Sequence, residues 1–158
     1  MDSIRIDTGV KCISIERDGG VRGEIEFNPS DVNFAEKFQR MYARLQEKQD
    51  EFHEKSLAID ANQNVDKAGM PENAAERVAF LREVGEFVRA EIDSLFGEGT
   101  SQIVFGDYVP LDPSVYGQFL DGISPHVELA RSEKMDKYLS DPDAALADVR
   151  KKNKRGKR

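Results

Sequence analysis

The sequence has no tryptophan, one cysteine and two histidines. A single Cys12 excludes an intramolecular disulfide and any zinc site built from several cysteines. It fits a reducing compartment. No apolar run approaches the roughly 20 residues of a membrane-crossing helix. Met1-Asp2-Ser3-Ile4-Arg5 lacks the apolar segment of a secretory signal. These absences predict a soluble protein of the cytoplasm. There is no Gly-x-Ser-x-Gly nucleophile elbow. No glycine-rich stretch ends in Gly-Lys-Ser/Thr, so no phosphate-cradling P-loop is present.

What is there is charge. Of 158 residues, 34% are charged and 39% hydrophobic, enough apolar material for one domain with long solvated helix faces. The net charge of -7 hides an asymmetry. Seven of the nine residues 150–158 are basic: Arg150, Lys151, Lys152, Lys154, Arg155, Lys157 and Arg158. With those seven set aside from 23 bases, 16 remain against 30 acids, so residues 1–149 carry -14. A body this acidic disfavours nucleic acid on its folded surface. The tail is expected to be disordered. It is either a solubilising end or a contact for RNA, an acidic partner or its own body.

Along the chain, residues 3–28 read as β structure. Val10, Cys12 and Ser14 alternate with Lys11, Ile13 and Ile15; Val21, Gly23, Ile25 and Phe27 alternate with Arg22, Glu24 and Glu26. Arg17-Asp18-Gly19-Gly20 between them is a strong hairpin turn signal. A lone hairpin is marginal in water, so it should pack on helices or pair with Ile4–Ile6 or another chain. Its exposed edge is a candidate oligomer contact. Asn28-Pro29-Ser30-Asp31 then opens a long helix capped by Ser30 or Asp31. Phe34, Phe38, Met41, Leu45, Phe52 and Ile59 form its stripe, widened by Tyr42, with Lys48 where the series wants an apolar residue. The favoured reading is a globular core stripe with a break near Asp50; a self-association seam is the alternative. Residues 62–71 form a polar connector. A second helix follows over about 72–96, with Val78, Leu81, Val84, Val88, Ile92 and Leu95 as its stripe, Phe80 and Phe87 beside it, and Gly85 for close packing. Asp112-Pro113, Ser124-Pro125 and Asp141-Pro142 each read as a helix start, the first helix stopping at Gly122. The fold class is therefore mainly α (α+β): four to five helices over 29–149, an N-terminal hairpin element over 1–28 and a basic tail over 150–158.

Candidate chemistry is sparse. His53 lies in Asp50-Glu51-Phe52-His53-Glu54, but no second histidine at helical spacing supports a metal site. It reads as a solvated face. His126 reads as structural, in the first turn after Ser124-Pro125. Cys12, in a strand, reads as a small buried hydrophobe. Asp107, after Gly106, reads as a turn residue. Thirty acids guarantee close carboxylate pairs by chance. No catalytic, cofactor-binding or metal-binding residue is assigned, and an interaction protein is the leading class. A nucleic-acid or ribosome-associated accessory factor acting through the basic tail is the alternative.

Three segments stand out together. One runs from Leu95 to Tyr108, with glycines at 97, 99 and 106 and aromatics at 96, 105 and 108. Another is Tyr116-Gly117-Gln118-Phe119-Leu120-Asp121-Gly122-Ile123-Ser124-Pro125. The third is Asn28-Pro29-Ser30-Asp31-Val32-Asn33-Phe34-Ala35-Glu36-Lys37-Phe38. In these the chain resembles phage tail assembly chaperones, specifically a branch encoded in the tail modules of Gram-positive phages and prophages, over Val10 to about Leu139. The resemblance implies a small helical protein made in the bacterial host cytoplasm. It would hold the tape-measure protein, recruit tail-tube subunits, carry no cofactor and catalyse nothing. Many such proteins are also made in a longer frameshifted form. Apolar helix faces on an acidic, well-solvated body suit that task. Phe96, Phe105, Tyr108, Tyr116 and Phe119 are the candidate partner contacts, each weighed against a plain core role.

Overall fold

A computed structural model describes residues 1–130. The element order is β1 (Lys11–Arg17), β2 (Gly20–Phe27), α1 (Val32–Asp60), α2 (Ala74–Phe96), α3 (Thr100–Phe105) and α4 (Ser114–Ala130). The mainly helical class with a small N-terminal hairpin is what the structure shows. The Asp141-Pro142 start and the basic tail lie outside the described residues.

β1 and β2 pair antiparallel through a two-residue turn. Asp18 and Gly19 hold φ of 52° and 79°, the left-handed pair that a hairpin of this twist requires. One face of the ribbon carries Ile13, Ile15, Ile25 and Phe27 inward; the other shows Cys12, Ser14, Glu24 and Glu26 to solvent. Ile4 and Ile6 join no strand and stand 91% and 77% exposed. The polar cause is local: Asn28 Nδ2 donates to the Thr8 carbonyl at 3.0 Å, and holds the chain before Gly9 against the β2–α1 junction.

α1 begins where the Asp31 carboxylate accepts the Asn33 N–H at 2.9 Å. It then runs 29 residues without a break at Asp50, about 43 Å at 1.5 Å per residue. Lys48 explains the continuity. Its stem lies along the stripe while Nζ sits 5.6 Å from the Phe52 ring centroid and 5.8 Å from that of Phe87. A cation on two rings fills the apolar register. Tyr42 does not widen the stripe; it is 56% exposed.

α2 returns along α1. At the turn between them Asn73 is buried, and its Nδ2 donates to the carbonyls of Ile59 at 3.0 Å and Asn62 at 2.9 Å. One side chain at the start of α2 thus satisfies the carbonyl end of α1. Arg77–Asp60 and Lys55–Glu83 bridge the exposed flanks.

α4 corrects the expected split at Gly122. It is one helix with Pro125 inside it. Proline deprives one carbonyl a turn earlier of its donor. That carbonyl belongs to Asp121, which is exposed, so water can serve it. Tyr116, Phe119, Ile123 and Val127 are buried along one face on both sides of the expected break. Packing along that single stripe outweighs the two local stop signals.

The core gathers where these elements meet. Phe96, at the end of α2, lies 5.3 Å from Phe27, 5.9 Å from Phe34 and 5.7 Å from Phe119, centroid to centroid. Phe105 of α3 extends the chain of rings to Phe119 and Tyr116.

Asn73→Ala should lower stability by about 2 kcal/mol, because it strips the Asn62 carbonyl, and part of the Ile59 carbonyl, of a buried donor. Asn73→Asp should cost more at neutral pH, since a carboxylate would face two carbonyl oxygens. Urea midpoints unchanged from wild type in both variants would show that the joint contributes nothing.

Candidate functional site

The stretch Leu95–Tyr108 is a joint between α2 and the rest of the core. Asp93 receives the Ser101 N–H at 2.7 Å and the Ser101 hydroxyl at 2.9 Å, so a carboxylate from α2 caps α3. From the other side Arg17 Nη1 of β1 donates to the Ile103 carbonyl at 3.0 Å. Its guanidinium lies over Gly106, where a Cβ would stand 2.9 Å from Nη2, and Gly106 itself has φ of 62°. No other residue type fits both demands. Asp107 accepts from Gln102 Nε2 at 2.9 Å, a turn contact across one helix end.

Of the five candidate partner contacts, Phe105, Tyr116 and Phe119 are buried in the core, and Phe96 is half-buried at its centre. Their aromatic stacking accounts for them without a partner. Tyr108 alone is exposed, at 57%. Its carbonyl accepts from Arg89 Nη2, and the Arg89 guanidinium lies 5.6 Å from the Phe105 centroid. Behind this pair the Tyr116 hydroxyl and Arg89 Nε are buried with no hydrogen-bond partner among the described residues. Burial raises the Tyr116 phenol above its ordinary pKa, the nearby Tyr108 pushes the same way, and Arg89 opposes them. Gly85 makes room for that ring: a Cβ there would stand 2.7 Å from the Tyr116 hydroxyl.

The remaining candidate residues are placed as follows. His53 is exposed and His126 half-buried. Among the described residues, no three His, Cys, Asp or Glu side chains converge as metal ligands. Cys12 is exposed, a correction to its expected burial. The strand alternation places it opposite the inward isoleucines, beside Glu24, and its Sγ donates to Glu24 Oε2 at 3.3 Å. That hydrogen bond, with some desolvation and the charges of Glu24 and Glu26, holds the thiol above its ordinary pKa. The thiolate is disfavoured, so Cys12 is poorly suited to nucleophilic chemistry. The basic residues Arg150, Lys151, Lys152, Lys154, Arg155, Lys157 and Arg158 lie outside the described residues. No helix among the described residues is long and apolar enough to cross a membrane.

Two surface features remain. The first is a cavity of about 890 Å³ between β1 and α4, lined by consecutive residues Ile13 to Asp18 and by Phe105, Phe119 and Ile123. The second is the far end of the α1–α2 pair. The main core reaches Leu45 and Val84 and goes no further along it. Alongside its outer end, Phe52 packs edge-on against Phe80 and Phe87 at 5.8 and 5.7 Å. At the tip Leu57, Val65, Met70 and Val78 are 54–60% exposed. Periodicity places Val78 on the buried stripe, where the structure instead exposes it, and gives no signal for the other three.

A family model for a family of unknown function, DUF6673, matches residues 22–158, beginning within β2. No curated protein and no solved structure matches the chain.

Gly85→Ala should destabilise by about 1–3 kcal/mol despite alanine's better helix propensity, because the added methyl meets the Tyr116 hydroxyl and, less closely, Val109. Tyr116→Phe should be neutral to slightly stabilising, since the lost hydroxyl has no partner. In the double variant the alanine should cost at least about 1 kcal/mol less. Additive effects in this cycle would show that the hydroxyl is not what occupies the space.

Proposed function

The chain belongs to that family of unknown function, and we propose that it is a non-catalytic interaction protein of phage tail assembly, binding the tape-measure protein, the tail-tube protein or both. The observation that carries this reading is the apolar tip on the α1–α2 arm. An arm that projects past the core and ends in Leu57, Val65, Met70 and Val78 offers contact surface that the other described residues do not cover. Methionine at such a place adapts to irregular partner surfaces. Half-buried Phe52, Phe80 and Phe87 sit behind the tip, and give an amphipathic partner helix an apolar strip to lie against. Acidic flanks keep the arm solvated between partners. The resemblance in Asn28–Phe38, Leu95–Tyr108 and Tyr116–Pro125 supplies the identity of the partners. It also supplies the setting, the cytoplasm of the bacterial host.

The test is co-expression of tagged chain with a tape-measure and a tail-tube protein from the same gene cluster, with recovery measured at two salt concentrations. Stoichiometric, salt-resistant recovery is expected, because apolar contacts are not screened. Val65→Ser with Met70→Ser should reduce recovery about tenfold, equivalent to about 1.4 kcal/mol, at an unchanged melting temperature. Recovery undiminished by these changes would move the contact away from the tip. Failure to recover either protein, with nucleic acid co-purifying only at low salt and only with residues 150–158 present, would replace this reading with that of an accessory factor working through the basic tail.

A further inference from the structure

The cavity between β1 and α4 has the shape of a missing strand. Among the described residues β1 pairs with β2 alone, so its other edge presents unpaired backbone N–H and C=O groups. Side chains of a strand alternate between faces, yet consecutive residues Ile13 to Asp18 all line the cavity. It therefore runs along the edge of β1, and not under one face. Its floor is apolar, formed by Val104, Phe105, Phe119 and Ile123, and its inner wall by Ile13 and Ile15, which remain half-buried.

The chain also carries a segment of strand-like spacing that pairs with no described strand. In Ser3-Ile4-Arg5-Ile6-Asp7 the two isoleucines are spaced for one face and are nearly fully exposed. The arm does not lie in its own groove. The Asn28–Thr8 hydrogen bond holds the chain on the β2 side, and Gly9 turns there against Ser30 with φ of 89°.

We propose that the N-terminal arm of a second copy of this chain adds as a third strand to the free edge of β1, the two copies exchanging arms. Charge selects the direction. Run antiparallel, with Ile4 opposite Ile15 and Ile6 opposite Ile13, the arm places both isoleucines over the apolar floor. Arg5 then falls opposite Ser14 on the solvent face, diagonal to Glu16 and within reach of it. Asp7 falls opposite Cys12, at the end away from Glu16. Run parallel, Asp7 would face Glu16, a like-charge pair. Reciprocal exchange makes the contact self-complementary and closes it at two copies.

This pairing sets a native thiol against a residue that can be given one. In full-length Asp7→Cys, mild oxidation should link the introduced thiol to the second copy's Cys12. The result is a dimer on a non-reducing gel, with the bond mapped by peptide mass spectrometry. Asp7→Cys with Cys12→Ser should lose that bond, and Ser3→Cys, four residues further along the strand, should not form one to Cys12. Sedimentation of the unmodified protein should give twice the chain mass. Ile4→Asp with Ile6→Asp should halve it, at an unchanged melting temperature because both residues are exposed. A monomer at all concentrations would overturn the proposal. So would a bond within one chain, showing the arm folds back on its own edge, or a dimer untouched by the isoleucine changes.

Discussion

The ring of Phe96 is the point on which the rest of the structure depends. It touches Phe27 of β2, Phe34 of α1 and Phe119 of α4, and through Phe119 it is joined to Phe105 of α3. Each aromatic pair contributes about 0.5–1.5 kcal/mol beyond simple burial. None of the shorter elements it joins is self-sufficient. A two-stranded ribbon is marginal in water. A six-residue helix such as α3 is far below the length at which a helix holds by itself. The last helix carries a proline in its interior. All three are stable because they share one cluster at the end of α2.

Around that cluster the elements are fastened by side chains that serve the backbone of a neighbour. Arg17 reaches from the hairpin to the Ile103 carbonyl and Asp93 from α2 to the start of α3, while at the far end of α2 Asn73 reaches back to the end of α1. Each satisfies helix-end groups that would otherwise be desolvated without a partner. Polar groups near the core are therefore mostly joints. The exception is the pair Tyr116 and Arg89, whose buried atoms go unserved while Arg89 holds the Tyr108 carbonyl and covers the Phe105 ring. The packing of those rings outweighs the unmade bonds.

Much of this was legible in advance because it is local. Asp18-Gly19 dictates its turn, Asp31 its cap, and the period of Phe34, Phe38, Met41 and Leu45 its buried face. What was hidden depends on partners distant in sequence. Lys48 looked like a flaw in the stripe until Phe87 stood opposite it. Gly122 and Pro125 looked like ends until the shared face of α4 met the core. Cys12 reads as inward because a lone cysteine in a strand is most often a small buried hydrophobe, and alternation fixes two faces without saying which one meets the helices. Of the candidate contacts, Phe105, Tyr116 and Phe119 could not be told from core residues, since an aromatic suits either place. The tip residues Leu57, Val65 and Met70 carry no periodic signal. They matter because the core stops short of them, a fact of tertiary structure.

The distribution of exposed apolar residues supports a role in contact. A helical body of this acidity gains nothing in stability from isoleucine at 4 and 6 or from methionine at 70. Isolated exposed apolar residues are ordinary on any surface. Val21, Val32, Tyr42, Tyr108 and Leu111 are scattered in that way, whereas Ile4 and Ile6 of the N-terminal arm and Leu57, Val65, Met70 and Val78 of the α1–α2 arm form two groups. The main aromatic core lies at the other end of α2, so the exposed side chains at both places can change without disturbing it. The two features also differ in kind. The strand-like arm matches the unpaired edge of β1, whereas the helical tip is an apolar surface left open by the described residues. Self-association through one and capture of a different protein through the other can therefore coexist, with no competition for the same residues.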